Sequence, residues 1–204
     1  MNDRVHRILT QIHALEEELE AALQAEESNL RYRIEGKRVR FEEAVHAAHT
    51  RLRKGLLIWL REAPPRHLAS APLIYGMIIP LLAFDLCLSI YHSICFRLYR
   101  IPRVRRRDYI VVDRHHLAYL NVVEKLNCVY CGYANGLVAY AREITARTEQ
   151  YWCPIKHARK AIGRHRRYAE FAPFGEAEIY QEELQQYRRS LDGETSERGG
   201  DTNH

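Results

Sequence analysis

The sequence predicts a mainly α protein: amphipathic helices with a small β-hairpin, one membrane-inserted hydrophobic helix, spanning or re-entrant, and a small helical metal-knuckle domain. Three observations carry this expectation. Charge is dense before Pro64 and after Phe96, yet Ala71–Phe96 (APLIYGMIIPLLAFDLCLSIYHSICF) holds one acidic residue, Asp85, and one histidine, His92. On either side of it, apolar residues recur at three- and four-residue spacing, the period of a helix face. Beyond it, Cys128, Cys131, Cys153 and His157 offer three sulfurs and an imidazole, a normal tetrahedral zinc set.

At 204 residues the chain is long enough for one ordinary domain or two small units. It divides by composition into a helix-hairpin-helix module (residues 1–63), a membrane-inserted segment (71–98), a cytoplasmic metal-knuckle domain (101–190) and a disordered tail (191–204) rich in Gly, Glu, Ser and Thr. In the first module Val5, Ile8, Ile12, Leu15, Leu19 and Ala22 fall on one seam flanked by Glu16, Glu17, Glu18 and Glu20, which predicts a short amphipathic helix or coiled coil. The period then changes: Leu30, Tyr32 and Ile34 alternate, as do Val39 and Phe41 after Glu35-Gly36, a hairpin pattern. Helical spacing resumes at Val45, Ala48, Leu52, Leu56 and Trp59 and stops at Pro64-Pro65. Such a seam packs against a protein partner or a second copy.

A run of about 20 apolar residues matches the bilayer core. Pro80 lies inside it and predicts a kink. Both flanks are basic, with Arg51, Arg53, Lys54, Arg61 and Arg66 before and Arg97, Arg100, Arg103, Arg105, Arg106 and Arg107 after. The denser cluster is the later one, so the positive-inside tendency places the carboxy-terminal region in the cytoplasm. A re-entrant hairpin bent at Pro80 would instead leave both ends there. Asp85 and His92 are seven residues apart and share one side of a helix. Contact with a neighbouring helix is the expectation for them, with a proton or ion path as the alternative.

The net charge of +5 raises the question of a nucleic-acid partner. Beside a bilayer, attraction to lipid headgroups accounts for the same arginines, and Arg103, Arg105, Arg106 and Arg107 are the expected phosphate or headgroup contacts.

The cysteines carry three readings. A structural zinc held by Cys128, Cys131, Cys153 and His157 is the first; iron or a dithiol switch at the CxxC is the second; unligated reduced thiols are the third. Gly132 and Gly136 are expected to allow tight turns near the first pair, and Pro154 to extend the backbone at Cys153. Cys87 and Cys95, inside the apolar run, act as small hydrophobes. Between the cysteines GLVAYAREITARTEQ reads as a helix with Leu137, Tyr140 and Ile144 on one side.

Before them Tyr109–Val112 reads as a strand-like run, and Asp113 as the cap of a helix beginning near Arg114. Asp113, His115, His116 and Glu124 form a possible acid-base or second metal group, against the plainer reading of a cap with surface histidines. On that group, or on an iron–cysteine site, rests the alternative function, a membrane-interface enzyme or redox protein acting on a lipid or quinone. No nucleophile motif, phosphate-cradling glycine loop or nucleotide fingerprint supports it.

The block from Ile101 to His157, above all DYIVVDRHHLAYLN, KLNCVYCGYANG and ARTEQYWCPIKHA, resembles a group of bacterial membrane-associated proteins. The resemblance implies a bacterial inner-membrane setting and assigns no residue a role. The expected function is a membrane-anchored accessory or scaffold protein whose zinc supplies much of the folding free energy of its small domain. Cys131→Ser would then unfold the region from Asn127 onward.

Overall fold

The computed structural model describes residues 3–28, 32–35, 38–41, 43–53 and 55–197. The chain is mainly helical. Helix α1 runs over Asp3–Ser28, and the strands β1 (Tyr32–Glu35) and β2 (Arg38–Phe41) pair antiparallel with Tyr32 opposite Phe41. Leu30 and the Gly36-Lys37 turn lie outside the described residues, as does Lys54. Helices α2 (Glu43–Leu52) and α3 (Leu56–Glu62) lead to α4 (Pro65–Gly76), α5 (Ile78–Leu98), α6 (Val122–Trp152) and α7 (Ala177–Glu197). On α1 the seam residues Ile8, Ile12, Leu15 and Leu19 stay exposed, and Arg166 Nη2 donates to Glu16 Oε2 at 2.8 Å.

The helix that holds the apolar run begins six residues before Ala71. Pro65–Leu98 forms one rod of 34 residues, long and apolar enough to cross a membrane, and only 6% of its most apolar stretch is buried in the fold. It jogs at Met77 without reversing. Pro80 has no N–H to give the carbonyl of Gly76, four residues back, and the turn there tightens: Met77 N donates to Ile74 O at 3.3 Å. The helix is interrupted at Met77, one turn before Pro80, and the chain runs on as one rod without folding back into a re-entrant hairpin.

The far end of α5 is closed by a Schellman turn. Ile101 N donates to Phe96 O at 2.9 Å and Arg100 N to Arg97 O at 3.4 Å, with Arg100 at φ 57° in the left-handed position usually given to glycine. Phe96 and Ile101, the two residues brought together by that turn, are both buried.

Helix α6 then lies parallel to α5. Tyr75 meets Asn127 and Tyr130, Asp85 meets Tyr133, His92 meets Tyr140, and Tyr99 meets Trp152. Parallel neighbours need a crossover, and residues 99–121 supply it as a strap running back along the pair. The core is the three-way seam of Leu88 and Phe96, of Ile101 and Val104, and of Leu137, Tyr140, Ala141 and Ile144, closed at one end by Leu191 of α7.

Gly132 and Gly136 sit inside α6 and make no turn, contrary to the expectation from sequence. Their role is close approach. A Cβ on Gly136 would stand 2.7 Å from Tyr109 O and 2.8 Å from Ile110 Cα, and one on Gly132 3.2 Å from Val111 O. The run Tyr109–Val112, expected as a strand, pairs with no strand; its backbone is laid across the shallow groove these two glycines leave.

The start of α6 also differs. It begins at Val122, eight residues after Arg114, because Asn121 is the better cap: its Oδ1 accepts from Glu124 N at 3.0 Å while Glu124 Oε2 accepts from Asn121 N at 2.8 Å. That reciprocal pair satisfies two otherwise orphaned donors. Residues Arg114–His116 form a single 3-10 turn whose Asp113 makes no side-chain cap bond.

The last helix overruns the boundary expected for the tail. Tyr187 and Leu191 of α7 are buried against α6, and the helix continues past them to Glu197. Residues 198–204 lie outside the described residues.

Candidate functional site

The expected metal ligands are not brought together. Cys128 and Cys131 lie within α6, and Cys153 is the residue that caps its far end. At 1.5 Å of rise per residue, the twenty-two residues from Cys131 to Cys153 span about 33 Å. Ligands of one zinc must all lie within about 2.3 Å of the ion. His157 is on the loop after Cys153, its ring stacked on Tyr168 at 5.9 Å. Burial, then the Glu149 carboxylate, push the Cys153 thiol above its ordinary value, so at neutral pH it stays protonated. All five cysteines are free thiols, and among the described residues no three His, Cys, Asp or Glu side chains converge as a metal group. Among the described residues the zinc set, and an iron site drawing on the same three cysteines, are not assembled.

The alternative acid-base set is dispersed as well. Glu124 is engaged in the cap of α6, Asp113 is exposed, and the His115 ring lies tilted against that of His116 with centroids 4.0 Å apart.

Asp85 and His92 do share a face of α5, and that face is turned onto α6 and the strap. Arg106 forks over Asp85, with Nη2 2.5 Å from Oδ2, and Tyr133 Oη donates to the same Oδ2 at 2.7 Å. The Asp85 hydrogen bond and its charge hold the Arg106 guanidinium above its ordinary value, against the opposing effect of burial. His92 is 2% exposed; its Nε2 accepts from Val104 N at 3.1 Å, and its Nδ1 lies 3.1 Å from Tyr140 Oη. Accepting a backbone N–H leaves Nε2 bare, so the ring proton sits on Nδ1 and is donated to Tyr140. Both groups act as contacts between helices.

Above this contact lies a cleft of about 430 Å³ lined by Ser89, His92, Ser93, Arg103, Val104, Arg105, Arg106 and Tyr140. Three of the four arginines singled out from sequence border it; Arg107 is exposed beside Asp108, 3.7 Å from Nε to Oδ1. No carboxylate lines it. Among the described residues Asp85 is the carboxylate at its margin, set against the guanidinium groups of Arg103, Arg105 and Arg106, so the cleft is electropositive, and two serine hydroxyls and a phenol add neutral donors. Burial raises the Tyr140 phenol, which keeps it a donor at neutral pH. This arrangement suits a phosphate or carboxylate, which planar guanidinium groups hold through charge-assisted hydrogen bonds.

Sequence reasoning missed Ser89, Ser93 and Tyr140. Ser89 and Ser93 lie four apart on the face of Asp85, a spacing that would have placed them beside it. From sequence Tyr140 is placed only on one side of a helix with Leu137 and Ile144, and only the strap's path brings the arginines over it.

The far half of α6 is held by a second polar network, equally unforeseen. Arg147 is 2% exposed, donates to Glu143 Oε1 at 2.8 Å and, through Nη1, to Pro102 O at 2.8 Å. Arg167 Nη2 reaches the same Glu143 oxygen at 2.9 Å, and its Nη1 reaches Gln150 Oε1 at 2.9 Å. Gln150 in turn donates to Tyr187 O and Ser190 Oγ of α7. Burial pushes the Glu143 carboxyl up, but the hydrogen bonds and charges of Arg147 and Arg167 outweigh it and leave it below the usual range. Comparison with protein-family models, with curated proteins and with solved structures gives no match.

Proposed function

We propose that this protein is a membrane-associated accessory protein that lies in the bilayer interface and offers its arginine-lined cleft to anionic headgroups. The observation that carries this reading is the two-sidedness of α5. Ile79, Leu86, Ile90, Ile94 and Leu98 follow one face and each is more than half exposed, while the opposite face carries α6 and the arginine strap. An apolar strip of this length is more than a soluble monomer ordinarily leaves in water.

Lying in the interface fits the charges better than threading the bilayer. Glu124 and Lys125 sit at the level of Tyr75, through the Tyr75–Asn127 contact, and Arg106 sits at the level of Asp85. Ten residues of helix separate those levels, about 15 Å. That is half the roughly 30 Å thickness of the hydrocarbon core. A perpendicular rod would therefore carry charged groups into the core, where they are costly. A rod lying flat immerses only its outer face, by about 5–10 Å. The arginines then favour an anionic leaflet such as the cytoplasmic face of a bacterial inner membrane.

The test is flotation with phosphatidylcholine vesicles, with and without phosphatidylglycerol, followed by depth measurement of a fluorophore on Cys87, the other four cysteines being serine. Co-flotation, stronger on the anionic vesicles, with a shallow Cys87 and release by Leu86→Glu with Ile90→Glu, is the expected result. A protein that stays in the soluble fraction overturns the reading, and a label at the bilayer midplane replaces it with a span.

A further inference from the structure

A second hollow follows the arginine cleft along the same side of the α5–α6 seam. It measures about 360 Å³ and is lined by Tyr75, Ile78, Leu82, Leu126, Val129, Tyr130 and Tyr133, almost entirely through apolar atoms. Ile78, Leu82, Asp85, Ser89 and Ser93 succeed one another on α5 at spacings of four, three, four and four, which is one face of a helix. On α6, Val129, Tyr133 and Tyr140 repeat at four and seven, again one face. The two hollows are thus consecutive, an apolar one toward Tyr75 and a cationic one toward Ser93. The Asp85–Arg106–Tyr133 contact stands between them.

We propose that the pair forms one site for a single anionic phospholipid, its phosphate in the arginine cleft and an acyl chain along Leu82, Val129 and Tyr133. This rests on the membrane-associated reading and adds to it a stoichiometric ligand distinct from the bulk bilayer. Three features select that ligand. Arg103 reaches the rim exposed and without an ion pair among the described residues. Tyr140, 4% exposed, receives the His92 Nδ1 proton on its oxygen and so keeps its own hydroxyl proton for a ligand in the cleft. The lower hollow offers a phosphate little to bond, since its lining is almost wholly apolar and two of its phenols are engaged internally, Tyr75 Oη donating to Asn127 Oδ1 at 2.5 Å and Tyr133 Oη to Asp85 Oδ2 at 2.7 Å. A free phosphate would use half the site; a lipid uses both.

The experiment titrates detergent-purified full-length protein with dihexanoyl phosphatidylglycerol, followed by native mass spectrometry, with inorganic phosphate as competitor. One equivalent is expected to bind. Arg103→Ala and, separately, Leu82→Trp, which fills the apolar hollow, each weaken binding by about tenfold or more, in line with the loss of a charge-assisted contact or of the chain's seat. Both variants still float on pure phosphatidylcholine vesicles, where binding rests on the outer face of α5, which is unchanged. Should Leu82→Trp misfold by circular dichroism, Val129→Trp fills the same hollow from α6. Competition by phosphate at concentrations equal to the lipid, or binding unmoved by both variants while flotation persists, overturns the site and spares the membrane reading. Failure of the wild type to float overturns both.

Discussion

Between Leu126 and Ala141 helix α6 carries no charged residue, and between Arg142 and Gln150 it carries Arg142, Glu143, Arg147 and Glu149. Both stretches are packed over with other parts of the chain, by different means. The first admits a neighbour by shape: two glycines lower the helix surface so that the Tyr109–Val112 backbone can lie on it. The second holds its neighbours by charge, one carboxylate shared between Arg147 and Arg167, with Arg147 reaching on to the strap. The contrast separates two vulnerabilities. A shape contact fails when an atom is added, and a charge contact fails when one is removed.

The largest loss is expected on the charged side. Glu143→Ala leaves two guanidinium groups without their shared carboxylate, and breaking a buried pair of this kind costs about 3–5 kcal/mol. Thermal and urea unfolding measure it. The same network sets a pH dependence. Because the folded Glu143 carboxyl lies below its ordinary value, its stabilisation is fully present above about pH 4.3, the unfolded value, and is lost as pH falls through the folded value. Glu143→Gln should flatten that part of the acid limb, and an unchanged acid limb would mean that the carboxylate is not stabilising the fold.

Next comes the shape side. Alanine in place of a mid-helix glycine ordinarily gains up to about 1 kcal/mol. At Gly136 the new methyl would meet backbone atoms at 2.7 and 2.8 Å, which cannot swing aside. Overpacking of that kind costs about 1–3 kcal/mol, sometimes more, so Gly136→Ala is destabilising on balance. Gly132→Ala, with its nearest neighbour at 3.2 Å, should fall close to zero. Equal effects at the two glycines would remove the strap from its assigned path.

A smaller effect of opposite sign is expected where the two halves are fed by the end of α5. Arg100 occupies a left-handed position at φ 57°, which costs a side-chain-bearing residue about 1 kcal/mol or slightly more. Arg100→Gly should recover about that amount in denaturant unfolding, with the Phe96–Ile101 contact intact.

The helices themselves were legible from spacing alone. Leu137, Tyr140 and Ile144 are buried on α6 as their period required, and the length and one-sided polar pair of the apolar segment survive in α4 and α5. Misreading began where one residue type serves two physical ends. Gly132 and Gly136 read as turns because glycine's backbone freedom is its commoner use, whereas here its missing side chain matters. Taking them as turns broke one 31-residue helix into a folded corner, and that corner was what let four distant ligands look adjacent. Asp113 and Asn121 are both acceptable caps, and only the partner carboxylate three residues on, Glu124, decides for Asn121. The site was half legible: the arginines stood out as a cluster, but the strap's reversal, which no local pattern encodes, is what carries them over Ser89, Ser93 and Tyr140.

The smallest expected effect is the sharpest discriminator between a continuous helix and a knuckle. Cys131 sits exposed on α6, its thiol without a bond among the described residues and its carbonyl accepting from Asn135 Nδ2 at 2.9 Å, a bond that the side chain does not share. Exchanging sulfur for oxygen at such a place should change stability by no more than about 0.5 kcal/mol. A zinc site with three thiolates would respond very differently, since loss of one ligand forfeits much of the binding free energy that holds a metal-dependent fold. Thermal unfolding of Cys131→Ser beside the wild type, each with its zinc content measured, decides the matter. Matching melting curves and no stoichiometric zinc in either protein leave α6 as the unbroken helix on which both hollows of the seam depend. A collapse of the variant, with zinc lost in step, would require the helix to bend at Gly132 and Gly136 after all, and would take the lipid site down with it.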